Sequence, residues 1–145
     1  MGMFVMGLAV GVAMGEANPQ EKIVQFAVTG TLLLGTWTDG DMGAVIGPGV
    51  RVDFNLTKYL MISPETSLFW GTVSPGCTVN FRFGKGFIGL GGAITSGGFF
   101  EEGAIGLFKA HIGAKWRNWL IEGSLLREGR DAWINVVGLT AGFVF

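Results

Sequence analysis

The sequence predicts an all-β fold, an antiparallel up-and-down transmembrane β-barrel of about eight strands, and three observations lead there. Apolar residues recur at every second position from about residue 20 to the end, the period of a strand. No helical pattern is sustained over that range, so nothing is available to cross over between parallel strands. The face opposite the apolar one is built of Thr, Ser, Asn, Gly and a few opposed charges. That is too sparse for a surface held in water and suits a barrel interior.

The first strand lies in "KIVQFAVTGTLLLGTW", where Val24, Phe26, Val28, Leu32 and Leu34 oppose Gln25, Ala27, Thr29 and Thr31. The second, in "GAVIGPGVRVDFNL", sets Ala44, Ile46, Val50, Val52, Phe54 and Leu56 against Gly47, Gly49, Arg51, Asp53 and Asn55. The third, "YLMISPETSLFW", sets Leu60, Ile62, Leu68 and Trp70 against Ser63, Glu65 and Ser67. Pro64 interrupts it, and because a closed barrel has no free edge, a bulge or a break is required there. In "CTVNFRF", Cys77, Val79, Phe81 and Phe83 oppose Thr78, Asn80 and Arg82. In "FIGLGGAIT", Ile88, Leu90 and Ile94 oppose Gly89, Gly91 and Thr95. The sixth strand, "AIGLFKAHIGAKW", places Phe108, Ala110, Ile112, Ala114 and Trp116 opposite Lys109, His111 and Lys115. The seventh, "WLIEGSLL", gives Trp119, Ile121 and Leu125 opposite Glu122 and Ser124, with Leu120 and Leu126 sharing the polar side. The eighth is the ending, "NVVGLTAGFVF".

Turn signals separate the strands at 39–43, 71–76, 84–86, 97–103, 117–118 and 128–131. The joints at 55–58, 84–86 and 117–118 are tight and the other four read as longer or more irregular. In a meander the tight joints share one end, the asymmetry of short periplasmic turns and longer external loops.

At 145 residues the chain is one domain, apolar and nearly neutral: 14% charged, net charge −1, 26 glycines and a mean hydropathy of +0.48. No Lys/Arg cluster is present, which argues against nucleic acid as a partner. One cysteine, Cys77, and one histidine, His111, allow neither an internal disulfide nor a structural Cys/His metal site. Cys77 reads as a small apolar filler. Residues 1–17 read as a signal peptide by their apolar run and small residues, with cleavage after Gly15 or Ala17, but without the basic start such peptides carry. The run is too short to span a membrane as a helix. The barrel then occupies 18–145.

Placed inward, Arg51, Arg82, Lys109 and Lys115 can meet Asp53, Glu65 and Glu122, with His111 nearby. Facing lipid near the midplane, each Lys or Arg would cost about 2–4 kcal/mol. Trp37, Tyr59, Trp70, Trp116, Trp119 and Trp133 fall near strand ends, where amphipathic rings sit at the water–lipid interface.

On the alternation, the "SPETSLF" strand, the glycine-rich "FIGLGGAIT" and "GLFKAHIGAKW", and above all the ending, the chain resembles the small eight-stranded bacterial outer-membrane barrels of the outer-membrane protein A and X type. The resemblance spans roughly residues 20–145. It implies a porin-like protein of the bacterial outer membrane and cell envelope, surrounded by lipid and lipopolysaccharide and monomeric. It also implies that the last strand is read by the barrel assembly machinery. Val137, Leu139, Ala141, Phe143 and Phe145 match that closing pattern position by position.

No catalytic, cofactor-binding or metal residue is assigned. "GLGGAITSGG" satisfies neither G-x-G-x-x-G nor the phosphate-loop pattern, and "NLT" at Asn55 falls in a tight turn. A lipid-A-modifying enzyme would need a Ser activated by His111. The family's His-x-Ser arrangement puts that Ser at position 113, which is Gly113, although Glu122 could orient His111. A narrow pore would be obstructed by inward charges, since eight strands leave a lumen that side chains fill. A soluble lipocalin-like carrier would hold the apolar face inward. The expected role is structural, envelope-stabilising or surface-contact; in residues 95–104, Phe99 and Phe100 could touch lipid or a partner, but anchoring of their own loop is the preferred reading.

Overall fold

The computed structural model describes residues 23–36, 42–69, 72–96, 104–128 and 135–145. They form eight strands: β1 (Val24–Thr36), β2 (Met42–Asn55), β3 (Leu60–Phe69), β4 (Thr72–Phe83), β5 (Gly86–Ser96), β6 (Ala104–Trp116), β7 (Trp119–Glu128) and β8 (Asn135–Val144). Each pairs antiparallel with the next, and β8 returns to β1, from Gly35 opposite Val136 to Ala27 opposite Val144. The result is a closed antiparallel β-barrel with no sheet edge. Strands of this length suit a tilted crossing of a bilayer. No helix among the described residues is long and apolar enough to cross a membrane, which says nothing against crossing by strands.

Tight turns join β2 to β3, β4 to β5 and β6 to β7 at one end. In the first, the amides of Leu56 and Thr57 donate to the Leu60 carbonyl at 3.0 and 3.2 Å. The Thr57 hydroxyl oxygen accepts from Tyr59 N and Leu60 N at 3.1 and 3.0 Å, so the "NLT" triplet is spent on turn geometry. Gly84 (φ 61°) and Arg117 (φ 53°) supply the left-handed residue of the other two turns.

Two prolines test the strand assignments. The turn expected at 71–76 is not there: β4 begins at Thr72, leaving only residues 70–71 between β3 and β4. Pro75 and Gly76 extend the strand instead of breaking it, because the β4–β5 ladder begins at Gly76 opposite Ala93 and Pro75 lies beyond it. Its missing N–H therefore costs no ladder bond. Pro64 falls in a gap of the β2–β3 ladder, between Arg51 opposite Glu65 and Phe54 opposite Ile62. The register is the same on both sides of the gap, so the strand breaks its bonding there without a bulge.

The barrel is apolar outside and mostly polar inside. Phe26, Ile46, Leu90 and Leu139 are about half exposed or more on the outer wall, whereas Arg51 and Asp53 retain 2% and 1% of their surface. Cys77 is exposed on the outer wall and fills no core space, a correction that follows from its register beside Val79 and Phe81. The interior is layered along the barrel axis. Ala27, Met61, Phe87, Leu120 and Val144 form an apolar floor at the tight-turn end. Leu126 and Val136, with Leu33 and Leu107, form a second apolar patch towards the other end. Leu120 and Leu126, which blur the pattern of the seventh strand, thus belong to the floor and to the second patch. The charges lie between them.

Candidate functional site

Arg51 and Asp53 stand two residues apart on β2, so the strand period aims both inward. Arg51 Nε donates to Asp53 Oδ1 at 2.6 Å, Nη2 donates to Ser63 Oγ at 3.1 Å, and Nη1 donates to Glu122 across the lumen. Its guanidinium lies 5.0 Å from the centre of the Phe87 ring, a cation–π contact in a desolvated setting. Lys109 Nζ bridges Glu65 Oε1 at 2.6 Å and Glu122 Oε1 at 2.7 Å. Lys115 Nζ approaches Asp53 Oδ2 at 2.6 Å and donates to Gln25 Oε1 at 2.6 Å. Three cations and three carboxylates therefore alternate through one connected core, each charge facing its opposite. A low-dielectric interior demands that arrangement.

His111 joins the same core. Its Nδ1 is 2.9 Å from Glu122 Oε2 and its Nε2 faces Asn80 Oδ1, while Asn80 Nδ2 donates to Ser63 Oγ at 2.8 Å. Ser124 is the cross-strand neighbour of His111, a pairing that sequence spacing does not reveal. Both ring nitrogens are nevertheless engaged by Asn80 and Glu122, leaving neither to take a proton from a serine. Arg82 sits at the tight-turn mouth, where Nη1 donates to Asn55 Oδ1 at 3.1 Å. Of the eight interior charges singled out from sequence, seven meet in the connected core and Arg82 lies below it.

Phe87, Asn80, Ser63 and Gln25 complete the site and were not singled out by residue type. Phe87 shares the inward register of Gly89 and Gly91, which is the signal that could have found it. Glycine makes the room: a Cβ on Gly89 would overlap Asn80 and the His111 ring, and one on Gly113 would overlap the Phe87 ring. Above the charges, a cavity of about 80 Å³ is lined by apolar side chains such as Leu33, Leu107 and Leu126 together with hydroxyls, among them Thr31 and Thr140, whose oxygens are 2.9 Å apart. Arg51, Glu65 and Lys109 also line it. It is large enough for a few waters. Among the described residues no His, Cys, Asp and Glu cluster could hold a metal ion.

On the outer wall, Tyr59, Trp116 and Trp119 are exposed at the tight-turn end. Tyr59 stacks beside Phe81 with ring centres 6.1 Å apart, and Trp119 meets Phe143 edge-on at 5.7 Å. Trp37, Trp70 and Trp133 lie outside the described residues, as do residues 1–17, Phe99 and Phe100. Val137, Leu139, Ala141, Phe143 and Phe145 all face outward along β8, while Gly138, Thr140 and Gly142 face the lumen.

Solved structures share this architecture. A de novo designed transmembrane β-barrel is 7% identical with a TM-score of 0.53, covering 87% of this chain and 98% of the design. Ail, the attachment invasion locus protein of Yersinia pestis, is 14% identical with a TM-score of 0.50, over 84% of this chain and 97% of Ail. Ail in complex with the heparin analogue sucrose octasulfate superposes with a TM-score of 0.49 at the same identity and coverage. No protein-family model matches the chain, and no curated protein matches it. The fold is that of a transmembrane β-barrel, of the type found in eight-stranded outer-membrane proteins.

Proposed function

We propose that this chain is an integral protein of the bacterial outer membrane with a structural, envelope-stabilising or surface-contact role and no catalysis. One observation carries the reading: the wall is apolar on its outside, while the lumen is plugged by an ion-paired core above an apolar floor. Such a wall is stable in lipid and a liability in water. A plugged lumen conducts little, which weighs against a pore. The outward polar-to-apolar inversion weighs against a lipocalin-like carrier, and the engaged nitrogens of His111 weigh against a lipid-A-modifying enzyme.

On this reading residues 1–17 direct export, and the barrel is monomeric among outer-membrane lipid and lipopolysaccharide. Tyr59, Trp116, Trp119 and the remaining tryptophans mark the interfaces. Val137, Leu139, Ala141 and Phe143 of β8, with Phe145 just beyond it, serve the barrel assembly machinery as a signal. Cell fractionation followed by gel electrophoresis with and without boiling tests the reading. The protein is expected in the outer-membrane fraction with a heat-dependent shift in mobility. Recovery as a soluble protein, with one mobility under both conditions, would sink it.

A further inference from the structure

Each of the three tight turns carries one cation: Lys58 between β2 and β3, Lys85 between β4 and β5, and Arg117 between β6 and β7. Because the strands follow chain order round the barrel, these turns occupy every second seam. The fourth seam at that end is where β8 meets β1. The cations are thus spread round the rim rather than bunched on one side. Lys58 and Arg117 are exposed and Lys85 is half-buried. Among the described residues no side-chain carboxylate stands at this rim: Asp53, Glu65 and Glu122 lie inside the lumen and Glu128 falls at the far end of β7. The sequence between the other strand ends has the opposite balance, with Asp39, Asp41, Glu101, Glu102 and Asp131 against Arg130.

The outer wall next to this rim bears the exposed aromatics Tyr59, Phe81, Trp116, Trp119 and Phe143. Lys58 Nζ lies 4.7 Å from the centre of the Tyr59 ring. Amphipathic rings settle at the boundary between hydrocarbon and headgroups, so cations one turn beyond them stand at headgroup height. There they meet phosphate. We infer that the tight-turn rim is a docking surface for anionic phospholipid headgroups, with Lys58, Lys85 and Arg117 as the phosphate-contacting groups. The inference rests on the membrane reading above. Each cation near an anionic bilayer strengthens association about fivefold, and the planar fork of Arg117 suits a phosphate oxygen pair.

The test folds the full chain into phosphatidylcholine vesicles with and without phosphatidylglycerol and follows urea unfolding. The comparison is a triple variant, Lys58→Gln, Lys85→Gln and Arg117→Asn, the last chosen because Asn tolerates the left-handed backbone of that turn. The unfolding midpoint of the natural sequence is expected to rise with phosphatidylglycerol, and high salt or the triple substitution to abolish the rise. An equal rise in the variant, or none in the natural sequence, would overturn the inference. Inorganic phosphate added to phosphatidylcholine vesicles at matched ionic strength is expected to leave the midpoint unchanged. A matching rise would assign the cations to free phosphate and overturn the headgroup assignment. Should the triple variant fail to fold, the three single variants are each expected to lose part of the rise, and an undiminished rise in all three overturns the proposal. Failure of the natural sequence to fold into phosphatidylcholine at all would sink the membrane reading itself.

Discussion

Glu122 holds the centre of the lumen, touching Arg51, Lys109 and His111 at 1% exposure. Replacing a buried ion pair by apolar residues can be neutral, whereas removing one partner strands the other charge at a cost of about 3–5 kcal/mol. Glu122→Gln keeps the shape but leaves the cations Arg51, Lys109 and Lys115 with only Asp53 and Glu65, one buried positive charge in excess, so the urea unfolding free energy in vesicles is expected to fall by about that much. A loss well under 1 kcal/mol would mean that water, not Glu122, satisfies those cations. Gly89 sits under Asn80 and His111 with no space for a methyl group. Gly89→Ala is expected to cost about 1–3 kcal/mol by overpacking, read in the same unfolding assay, and no loss would show that the His111 ring can move aside. The charges were legible from alternation alone; the need for Gly89 was not, because it arises from side chains on β4 and β6.

Among the elements, β3 is the least regular, and Pro64 is the cause. The gap in its ladder to β2 keeps register on both sides, so the defect is a missing donor rather than a displaced strand. Pro64→Val is expected to restore an amide to that gap and produce a slowly exchanging N–H at position 64 in hydrogen exchange, with stability unchanged or higher. Rapid exchange there would mean that the strands are held apart by something other than proline. The same logic explains why the turn expected at 71–76 failed: proline and glycine punctuate a chain only where their missing groups would have been used. At Pro75 the ladder to β5 has already ended. Local composition cannot reveal where a neighbouring ladder stops.

For the whole molecule the deciding quantity is which side of the wall is dry. Leu90 faces outward near the middle of β5, and Gly91 beside it faces inward. Leu90→Arg is expected to destabilise the barrel in vesicles by about 2–4 kcal/mol, and by less in a detergent micelle that lets the side chain reach water. Equal tolerance in both media would place Leu90 near an interface or on a wetted surface. The layered lumen makes a barrier from two different physical devices. The apolar floor excludes water by dispersion and packing, and the charges above it are mutually neutralised.

Alternation carries the strands, the meander order and the inward placement of Arg51, Asp53, Glu65, Lys109, His111, Lys115 and Glu122, because a strand's period of two is a property of the backbone alone. Closure follows from it, since an outward apolar face in a meander leaves β8 no partner but β1. The tertiary structure alone decided which charges pair, that Phe87 lies beneath Arg51, that Ser124 stands opposite His111, and that Leu120 packs in the floor while Leu126 lines the cavity above the charges. Those contacts depend on the stagger between strands, and stagger is set by bonds between residues far apart in the chain.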